Sequence, residues 1–304
     1  MIIENLRMHK SVLLQEVIEG LDIKPNDIFF DGTINGGGHS KAISEKLGEN
    51  GTIFGTDLDG VALGKAEERL KGAKAKVFLK QESFRNLDKV LEEAGVNSVD
   101  KILFDLGLSS SQFEESGRGF SFQKDEPLIM SFQDSPTDSD LTAHKIVNKW
   151  DEENIAQVIE SYGEERFAKR IAKKIVEARE KGEIKTTNEL VGIIKSATPY
   201  SYHHKRIHPA TKTFQALRIT VNDEIGSLKD GLEKGFEHLS VGGRMAVMAF
   251  HSIEDRVVKN FFKQKALEGK GRLLTKKPVT PSEKEVEKNP RSRSAKLRII
   301  EKTK

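Results

Sequence analysis

The chain has no cysteine among its 304 residues. A disulfide framework and a thiolate zinc site are therefore excluded, and the composition agrees with a reducing compartment. No apolar run approaches the roughly 18 residues that a membrane-spanning helix needs. Residues 1–8 also lack the hydrophobic core of a signal peptide. The sequence therefore predicts a cytoplasmic protein with no membrane partner.

Two common phosphate-binding motifs are also missing. The glycine-rich segment of residues 31–40, DGTINGGGHS, supplies no G-x-G-x-x-G in any register, which disfavours a dinucleotide-binding turn. It does not end as a P-loop ends, because Gly38 is followed by His39 and Ser40. A buried-strand pattern does precede the segment and a helical pattern follows it, which is the order typical of a nucleotide-cofactor site.

Acidic residues end the predicted strands around this turn. Asp31 precedes the turn, and Asp57 and Asp105 end the strand patterns of residues 51–57 and 101–105. A carboxylate would repel a pyrophosphate but would attract the sulfonium and ammonium groups of S-adenosylmethionine. A carboxylate at the second strand end can also accept hydrogen bonds from ribose hydroxyls. Because parallel strands end at one edge of a sheet, we expect the three aspartates to form one site.

Strand and helix patterns alternate up to residue 105, which predicts a parallel sheet with helices on both faces. Asp59 is the predicted cap of the helix at residues 61–70, which leaves Asp57 available for a ligand. After residue 105 a long polar segment leads into four helical patterns, and a strand pattern returns only at residues 243–250. We therefore predict a discontinuous sheet domain, with a helical domain inserted into it. The sheet domain is assigned to residues 1–108 and 207–304, and the inserted loop and helical domain to residues 109–206.

The C-terminal segment is strongly basic. Residues 262–304 carry 14 lysines and arginines against 5 acidic residues, a net charge of +9, so the other 261 residues carry −6 of the total +3. Two short β-like runs, at residues 272–274 and 297–300, predict an antiparallel edge hairpin. A basic end on an acidic body is typical of contact with a polyanion. A solvated, mobile charged end is the alternative.

Several segments together resemble the bacterial methyltransferase family that modifies the exocyclic amine of a cytidine in small-subunit ribosomal RNA. They include DLGLSSSQ at residues 105–112, HPATKTFQALRI at residues 208–219 and FHSIEDR at residues 250–256. The others lie at residues 8–16, 31–40, 118–122, 162–168 and 289–296. The resemblance therefore covers nearly the whole chain in order.

The resemblance implies a class I, Rossmann-like methyltransferase sheet that uses S-adenosyl-L-methionine and carries an inserted all-helical domain. The expected reaction is methyl transfer to the N4 amine of a cytidine in the decoding region of 16S ribosomal RNA, within the small ribosomal subunit. A homodimer is a candidate assembly. The cofactor contacts that the resemblance implies are Gly37, Gly38, His39, Asp57, Phe84, Asp105 and Gln112.

The chemistry itself demands a hydrogen-bond acceptor. The exocyclic amine of cytosine is a poor nucleophile, because its lone pair is delocalised into the ring. Acceptors on its protons can hold that lone pair toward the methyl group. We expect Asp105, or a backbone carbonyl of residues 106–110, to be this acceptor, and Asp105 to take the released proton. Ser109 is the second catalytic candidate, and a role of Asp105 in positioning the cofactor alone stays open.

Basic and aromatic residues are the candidates for RNA contact. The predicted phosphate contacts are Arg291, Arg293 and Lys296. A histidine cluster lies beside cationic residues without acidic ligands, so it predicts phosphate contact and no metal site: His203, His204 and His208. His251 follows the last parallel strand pattern, where it could contact RNA or relay a proton, although a single histidine at a strand end is more often structural. Three aromatics of the long loop could stack on a flipped base or pack in the core: Phe120, Phe122 and Phe132.

One departure from the family pattern keeps a second function open. Residues 129–132 read Ile-Met-Ser-Phe where the family usually has an Asp-Met-Arg-Met-like run. An acidic and a basic side chain are missing there, which leaves open a ribosome-assembly protein that binds cofactor and RNA without catalysis. A nicotinamide-dependent dehydrogenase is disfavoured by the missing dinucleotide motif.

Overall fold

The computed structural model of the chain describes residues 11–108, 112–113, 116–204 and 206–304. Ser109, one of the two predicted catalytic residues, lies outside the described residues. The chain divides into two compact units, each with its own hydrophobic core. The first unit comprises the described residues up to Gly107 together with Ile225–Lys304, and the second comprises Leu108–Glu224.

The first unit is built on a seven-stranded sheet. The strands are β1 (Ile28–Asp31), β2 (Thr52–Asp57), β3 (Lys76–Gln81), β4 (Val99–Asp105), β5 (Leu239–Ala249), β6 (Gly271–Leu273) and β7 (Lys296–Lys302). Their order across the sheet is β3-β2-β1-β4-β5-β7-β6. The pairs from β3 to β5 are parallel, and β7 is antiparallel to both of its neighbours. The predicted parallel sheet and the predicted antiparallel edge hairpin are both confirmed.

The helices alternate with these strands in the first unit and follow one another in the second. In chain order they are α1 (Leu14–Leu21), α2 (Gly38–Ser44), α3 (Gly60–Leu70), α4 (Leu87–Glu93), α5 (Ala143–Lys149), α6 (Glu152–Gly163), α7 (Ala168–Arg179), α8 (Thr187–Ala197), α9 (Tyr200–His203), α10 (Thr211–Val221), α11 (Glu224–His238), α12 (Ser252–Leu267) and α13 (Glu283–Lys288). Short 3-10 helices lie at Phe84–Asn86 and Pro290–Ser294. Among the described residues, no helix combines the length and the apolar character that crossing a membrane requires.

The two faces of the sheet carry separate cores. Successive side chains of a strand point to opposite faces, and accordingly Phe29 packs in one apolar cluster while Phe30 packs in the other. Leu103 and Phe104 divide in the same way on β4. Both faces of the central strands are therefore buried, as parallel strands covered by helices on both sides require.

The strand order creates a switch point between β1 and β4. The chain runs outward from β1 to β3 and then returns to the other side of β1 as β4. In open sheets of this kind, ligands bind beyond the carboxyl ends of the strands at such a point. The adjacent strands β2, β1 and β4 end at Asp57, Asp31 and Asp105. The three aspartates therefore share one edge of the sheet, as predicted.

The second unit extends further along the chain than the sequence analysis placed it. Helix α10 was not predicted from the sequence pattern, and it packs against α6. Its apolar residues Phe214 and Leu217 are buried in the core of the second unit. The second junction between the units consequently lies after Glu224, whereas the sequence analysis placed it after Arg206.

The aromatic residues of the long segment pack within the second unit. Phe120 is buried in its core, and the Phe132 ring lies against it with the centroids 5.9 Å apart. Phe122 stacks on the His208 ring at 4.5 Å. His208 also accepts a hydrogen bond from the backbone N–H of Ala210 at its Nδ1, 3.2 Å away. Core packing therefore accounts for Phe120, and local packing accounts for His208.

The segment at residues 129–132 is held in place by its own unit despite its departure from the family pattern. The Arg118 guanidinium donates to the carbonyl of Phe132 at 2.8 Å. The Asn222 amide donates to the carbonyl of Met130 at 2.8 Å and accepts from the Phe132 N–H at 2.7 Å. The loop is therefore ordered without the missing acidic and basic side chains.

Candidate active site

The turn between β1 and α2 requires glycine at several positions. Gly37 has a φ of +72°, a conformation that L side chains rarely adopt. A Cβ added to Gly38 would lie 2.2 Å from the Oγ of Ser11. At Gly32 it would lie 2.5 Å from two ring carbons of Phe104. The absence of side chains thus lets the turn pack directly against the neighbouring elements and keeps its backbone at the sheet edge.

Asp31 lies deeper in the sheet than the other two strand-end aspartates. It is in register with Gly55 of β2 and Leu103 of β4, so both neighbouring strands continue two residues beyond it. Its side chain is 2% exposed and accepts from the hydroxyl of Ser40 at 2.5 Å. Burial raises the pKa of Asp31 to about 6, although the Ser40 hydrogen bond opposes this change. Asp31 therefore ties the turn and α2 to the end of β1.

Asp57 is positioned by the turn on one side and by α3 on the other. One carboxylate oxygen accepts from the N–H of Asn35 at 2.8 Å, and the other accepts from the N–H of Asp59 at 3.0 Å. Burial raises the pKa of Asp57 to about 6. Asp59 caps α3 by accepting from the N–H groups of Val61 and Ala62, as predicted. Each oxygen of Asp57 has lone-pair capacity beyond its one bond to the backbone.

Asp105 pairs with His39 across the switch point. The Nδ1 of His39 lies 3.4 Å from Oδ2 of Asp105, and its Nε2 lies 2.9 Å from the carbonyl oxygen of Val12. Oδ1 of Asp105 is buried and has no hydrogen-bond partner among the residues that the structure describes. The backbone N–H of Asp105 donates to Oγ1 of Thr33 at 2.6 Å. Asp105 is thus fixed through its backbone N–H, while Oδ2 lies near His39 and Oδ1 has an unused acceptor capacity.

The local electrostatics favour the acid form of Asp105. Burial raises the pKa of Asp105 to about 7, and the negative charge of Glu254 contributes in the same direction. Burial also lowers the pKa of His39, against the opposing charge of Asp31. Near neutral pH, Asp105 can therefore both release and accept a proton, as a group that exchanges protons in a reaction must.

The remaining predicted cofactor contacts divide between the two units. Phe84 follows β3 in the first unit, and its ring lies against Phe104 with the centroids 4.8 Å apart. Its Cβ lies 2.8 Å from the position of a Cβ added to Gly32, so Phe84 borders the glycine-rich turn. Gln112 belongs to the second unit. Six of the seven predicted cofactor contacts thus belong to the first unit: Gly37, Gly38, His39, Asp57, Phe84 and Asp105.

Two hydroxyl residues of the turn were missed by the sequence analysis. Thr33 accepts from the backbone of Asp105, and Ser40 donates to Asp31. The available signal was their position among the glycines, since small hydroxyl residues in a turn often bond to nearby polar groups. The partner of Thr33 comes from a distant strand, and only the fold brings the two residues together.

The end of β5 leads into a capped helix. The Nδ1 of His251 accepts from the N–H of Glu254 at 3.3 Å, and the Glu254 carboxylate accepts from the N–H of His251 at 3.3 Å. The same carboxylate accepts from the N–H of Phe250 at 2.8 Å. These reciprocal bonds form a capping box at the start of α12. The structural interpretation of His251 is therefore supported.

The basic C-terminal segment is part of the sheet. Lys296 begins β7 and lies 3.1 Å from a carboxylate oxygen of Asp255, and Arg298 lies 2.7 Å from the other oxygen. Burial would raise the pKa of Asp255, but the hydrogen bonds from Arg298 and Lys296 outweigh it and lower the pKa. The mobile-tail alternative is therefore wrong for β7.

A cleft of about 310 Å³ lies beside these basic residues. We call it the C-terminal cleft, and it is lined by Phe250, His251, Ser252, Thr280, Arg293, Ser294, Ala295 and Lys296. Arg293 is exposed and makes no ion pair with any residue in the described part of the chain. Arg291 is exposed but is not among the lining residues. The structure thus brings two of the three predicted phosphate contacts to one cleft.

Comparison with known proteins gives one consistent result. A sequence model of the MraW methylase family matches residues 6–303. The Ribosomal RNA small subunit methyltransferase H of Acetivibrio thermocellus is 47% identical over 311 residues, which cover 97% of this chain and 98% of that protein.

Solved structures give weaker likenesses. A candidate rRNA methylase from Clostridium thermocellum has a TM-score of 0.48 at 15% identity and covers 96% of this chain and 98% of that one. An rRNA methylase from Streptococcus thermophilus has a TM-score of 0.43 at 14% identity, with 96% and 93% covered. The family of this chain is therefore assigned from the sequence matches, and its fold is described from its own sheet.

Proposed function

Because the chain belongs to the MraW methylase family, we propose that it transfers a methyl group from S-adenosyl-L-methionine to small-subunit ribosomal RNA. The acceptor is the exocyclic N4 amine of a cytidine in the decoding region of the 16S RNA. The name of the relative from A. thermocellus supports the class of substrate. The sequence resemblance supports the atom that is methylated.

The cofactor is assigned to the edge where β2, β1 and β4 end. Its ribose hydroxyls are expected to bond to Asp57, whose carboxylate oxygens keep acceptor capacity. The backbone at Gly37 and Gly38 can approach a ligand closely, because no side chain lies in the way. His39, Phe84 and Gln112 complete the proposed contacts. The bound cofactor supplies an electrophilic methyl group on a positively charged sulfur.

The observation that carries the proposed chemistry is the buried Oδ1 of Asp105, which has no hydrogen-bond partner among the residues that the structure describes. A buried acceptor without a partner is energetically costly, and such exceptions in folded proteins often mark sites that bind or react. An amine proton is a matching donor. Asp105 is therefore proposed to hold the amine during transfer and to take the proton that leaves the nitrogen afterwards. Ser109 is retained as the second candidate of the same loop.

RNA contact is proposed at the C-terminal cleft and at the second unit. Arg293 and Lys296 line the cleft and are assigned to phosphates. Arg291, on the same 3-10 helix as Arg293, is the third proposed phosphate contact. The second unit is assigned to substrate recognition. The small ribosomal subunit is the proposed form in which the RNA is presented, the cytoplasm is the proposed location, and a homodimer is the proposed assembly.

Methyl transfer to small ribosomal subunits that lack the modification tests the proposal. The subunits are incubated with the full chain and S-adenosylmethionine labelled in the methyl group. The RNA is then digested, and the labelled nucleoside is identified by mass spectrometry. We expect label in N4-methylated cytidine only.

Two outcomes would contradict this assignment. Label in another nucleoside would mean that the acceptor atom is wrong. Binding of cofactor and subunit without any label would favour the assembly protein that does not catalyse, which was left open by the departure at residues 129–132. A titration with a nicotinamide cofactor tests the dehydrogenase alternative. We expect no binding, whereas binding would favour a dehydrogenase.

A further inference from the structure

His39 makes contacts that a simple cofactor-binding residue would not need. Its ring is 6% exposed and spans from the carbonyl of Val12 to the carboxyl of Asp105. A backbone carbonyl can only accept, so the Nε2 of His39 must carry a proton and donate it to Val12 at 2.9 Å. This bond fixes both the orientation of the ring and the tautomer.

The fixed tautomer leaves Nδ1 with a lone pair. Burial lowers the pKa of His39, so its neutral form is favoured and the second nitrogen carries no proton. That nitrogen lies 3.4 Å from Oδ2 of Asp105. When Asp105 is ionised, two acceptors face each other and no hydrogen bond can form. When Asp105 is protonated, its O–H can donate to Nδ1.

We infer that His39 is a positioning residue. Its Nδ1 accepts a hydrogen bond from the O–H of protonated Asp105, which stabilises the protonated form and so strengthens Asp105 as a base. The inference rests on the proposed methyl transfer and deepens it. The N–H bond of the methylated amine breaks, its electron pair stays on nitrogen, and an O–H bond forms at Asp105. After the carboxyl turns about its Cβ–Cγ bond, this O–H donates to Nδ1 of His39.

Two other charged groups near Asp105 act in the same direction as His39. Asp31 lies at the neighbouring strand end, and Glu254 lies on α12. Both negative charges favour the proton on Asp105. Both groups remain in the chain when His39 is replaced, so wild type and a His39 variant differ in sequence only at the ring.

The substitution His39→Gln decides the sign of the effect. A glutamine amide can donate a hydrogen bond to the ionised carboxylate of Asp105 and so stabilise its charged form. The lone pair on Nδ1 of His39 cannot do this. In single-turnover methyl transfer to unmodified small subunits, we expect the wild-type rate to rise with pH, with a midpoint near the pKa of Asp105. The variant should show a midpoint at least about 0.5 pH unit lower and a maximal rate about 10-fold lower.

Cofactor affinity separates this role from simple binding. Calorimetry with S-adenosylhomocysteine should show a smaller loss of affinity than of maximal rate in His39→Gln, since the ring is a proposed cofactor contact but acts on the reaction through Asp105. His238→Gln is the matched control, because this half-buried histidine at the end of α11 hydrogen-bonds to the carbonyl of Asn97 and is not part of the proposed site. It should keep the wild-type rate and pH profile.

A midpoint that moves to higher pH in His39→Gln would overturn the inference, because it would mean that His39 donates to an ionised Asp105. An unchanged pH profile in His39→Gln would overturn it as well. A loss of cofactor affinity that matches the loss of rate would mean that His39 only binds the cofactor, which would also overturn the inference. If the variant fails to fold, nitrogen NMR of the wild-type chain labelled in histidine decides the tautomer. We expect a proton on Nε2 and none on Nδ1, and the reverse would refute the proposal even if no methyl transfer were ever observed.

Discussion

At the scale of single residues, depth in the sheet separates the roles of three chemically identical side chains. Asp31 is the last residue of β1, which ends two residues before the neighbouring strands β2 and β4. Its side chain accepts a hydrogen bond from the hydroxyl of Ser40. Asp57 accepts hydrogen bonds from two backbone N–H groups, and one oxygen of Asp105 has no partner in the described part of the chain. The first aspartate therefore stabilises the turn, while the other two are available for ligand and reaction.

Replacing Asp105 with asparagine should remove the proton acceptor while keeping the shape of the side chain. We expect the rate of methyl transfer in Asp105→Asn to fall by about 100-fold to 10,000-fold, the usual contribution of a general base. Binding of S-adenosylhomocysteine should change little in calorimetry. Asp230→Asn, at an exposed partner of Arg85, is the control and should keep the wild-type rate.

Parallel losses of rate and cofactor affinity in Asp105→Asn would instead assign Asp105 to holding the cofactor. That result would also remove the basis for the partnership with His39.

Asp31 should make the stability of the ligand-free protein depend on pH. Its pKa rises from the ordinary 3.8 to about 6 on folding, so the folded state binds more protons than the unfolded state between these values. The stabilising contribution is full below the unfolded pKa and is lost as the pH rises through about 6. Urea unfolding of wild type and Asp31→Asn at about pH 4.5 and pH 8 measures it.

The free energy of unfolding of wild type, relative to Asp31→Asn, should fall by about 2 to 3 kcal/mol over that range, because one pKa unit corresponds to about 1.4 kcal/mol. A difference that stays constant with pH would show that Asp31 is ionised throughout. A difference that grows would mean that its pKa is lowered by folding.

At the scale of elements, the turn between β1 and α2 is shaped by what packs under it. Gly32 lies against the Phe104 ring, and Gly38 lies against Ser11. Phe84, on the 3-10 helix after β3, closes the same corner. The turn is therefore positioned by contacts from several elements of the first unit and not by its own sequence alone.

Two glycine-to-alanine substitutions should have opposite effects. In Gly32→Ala the new Cβ would lie 2.5 Å from the Phe104 ring, so we expect a loss of about 1 to 3 kcal/mol in the free energy of unfolding. Gly64 lies within α3, and nothing lies within 4 Å of an added Cβ. Gly64→Ala should therefore gain about 0.5 to 1 kcal/mol from helix propensity.

Urea unfolding measures the free energy of unfolding of both variants relative to wild type. Equal destabilisation by the two substitutions would show that the loss at Gly32 does not come from the contact with Phe104.

At the scale of the whole molecule, the basic end of the chain is organised by the sheet. The strand β7 pairs with β5, and Asp255 neutralises part of the charge of Lys296 and Arg298. Arg293 remains exposed at the C-terminal cleft, so at least one positive charge of the segment is presented at a defined surface. Attraction between this surface and RNA phosphates should decrease as salt is added.

Arg293→Gln should weaken binding to 16S RNA and reduce the slope of log K against log salt by about 1, the change expected when one phosphate contact is lost. Filter binding or fluorescence anisotropy between about 50 and 200 mM salt measures the slope. Arg272→Gln is the matched control, because this exposed arginine is paired with Glu301 outside the cleft. An unchanged slope in Arg293→Gln would exclude the cleft as a phosphate site.

Much of the fold could be predicted from local sequence. The alternation of strand and helix patterns, the acids at the strand ends and the cap at Asp59 all depend on residues close together in the chain. The core position of Phe120 and the extent of the second unit could not be predicted, because both depend on how α6 and α10 pack.

The sequence by itself determined the class of sheet, the glycine-rich turn and the set of acids around it, because strand ends and turns are encoded within a few neighbouring residues. Only the tertiary structure decided which acid is buried under the turn and that His39 faces Asp105. These choices depend on the register between β1, β2 and β4 and on contacts between distant segments. A pattern in one chain segment carries no information about that register, so the division of roles at the site becomes visible only when the sheet is assembled.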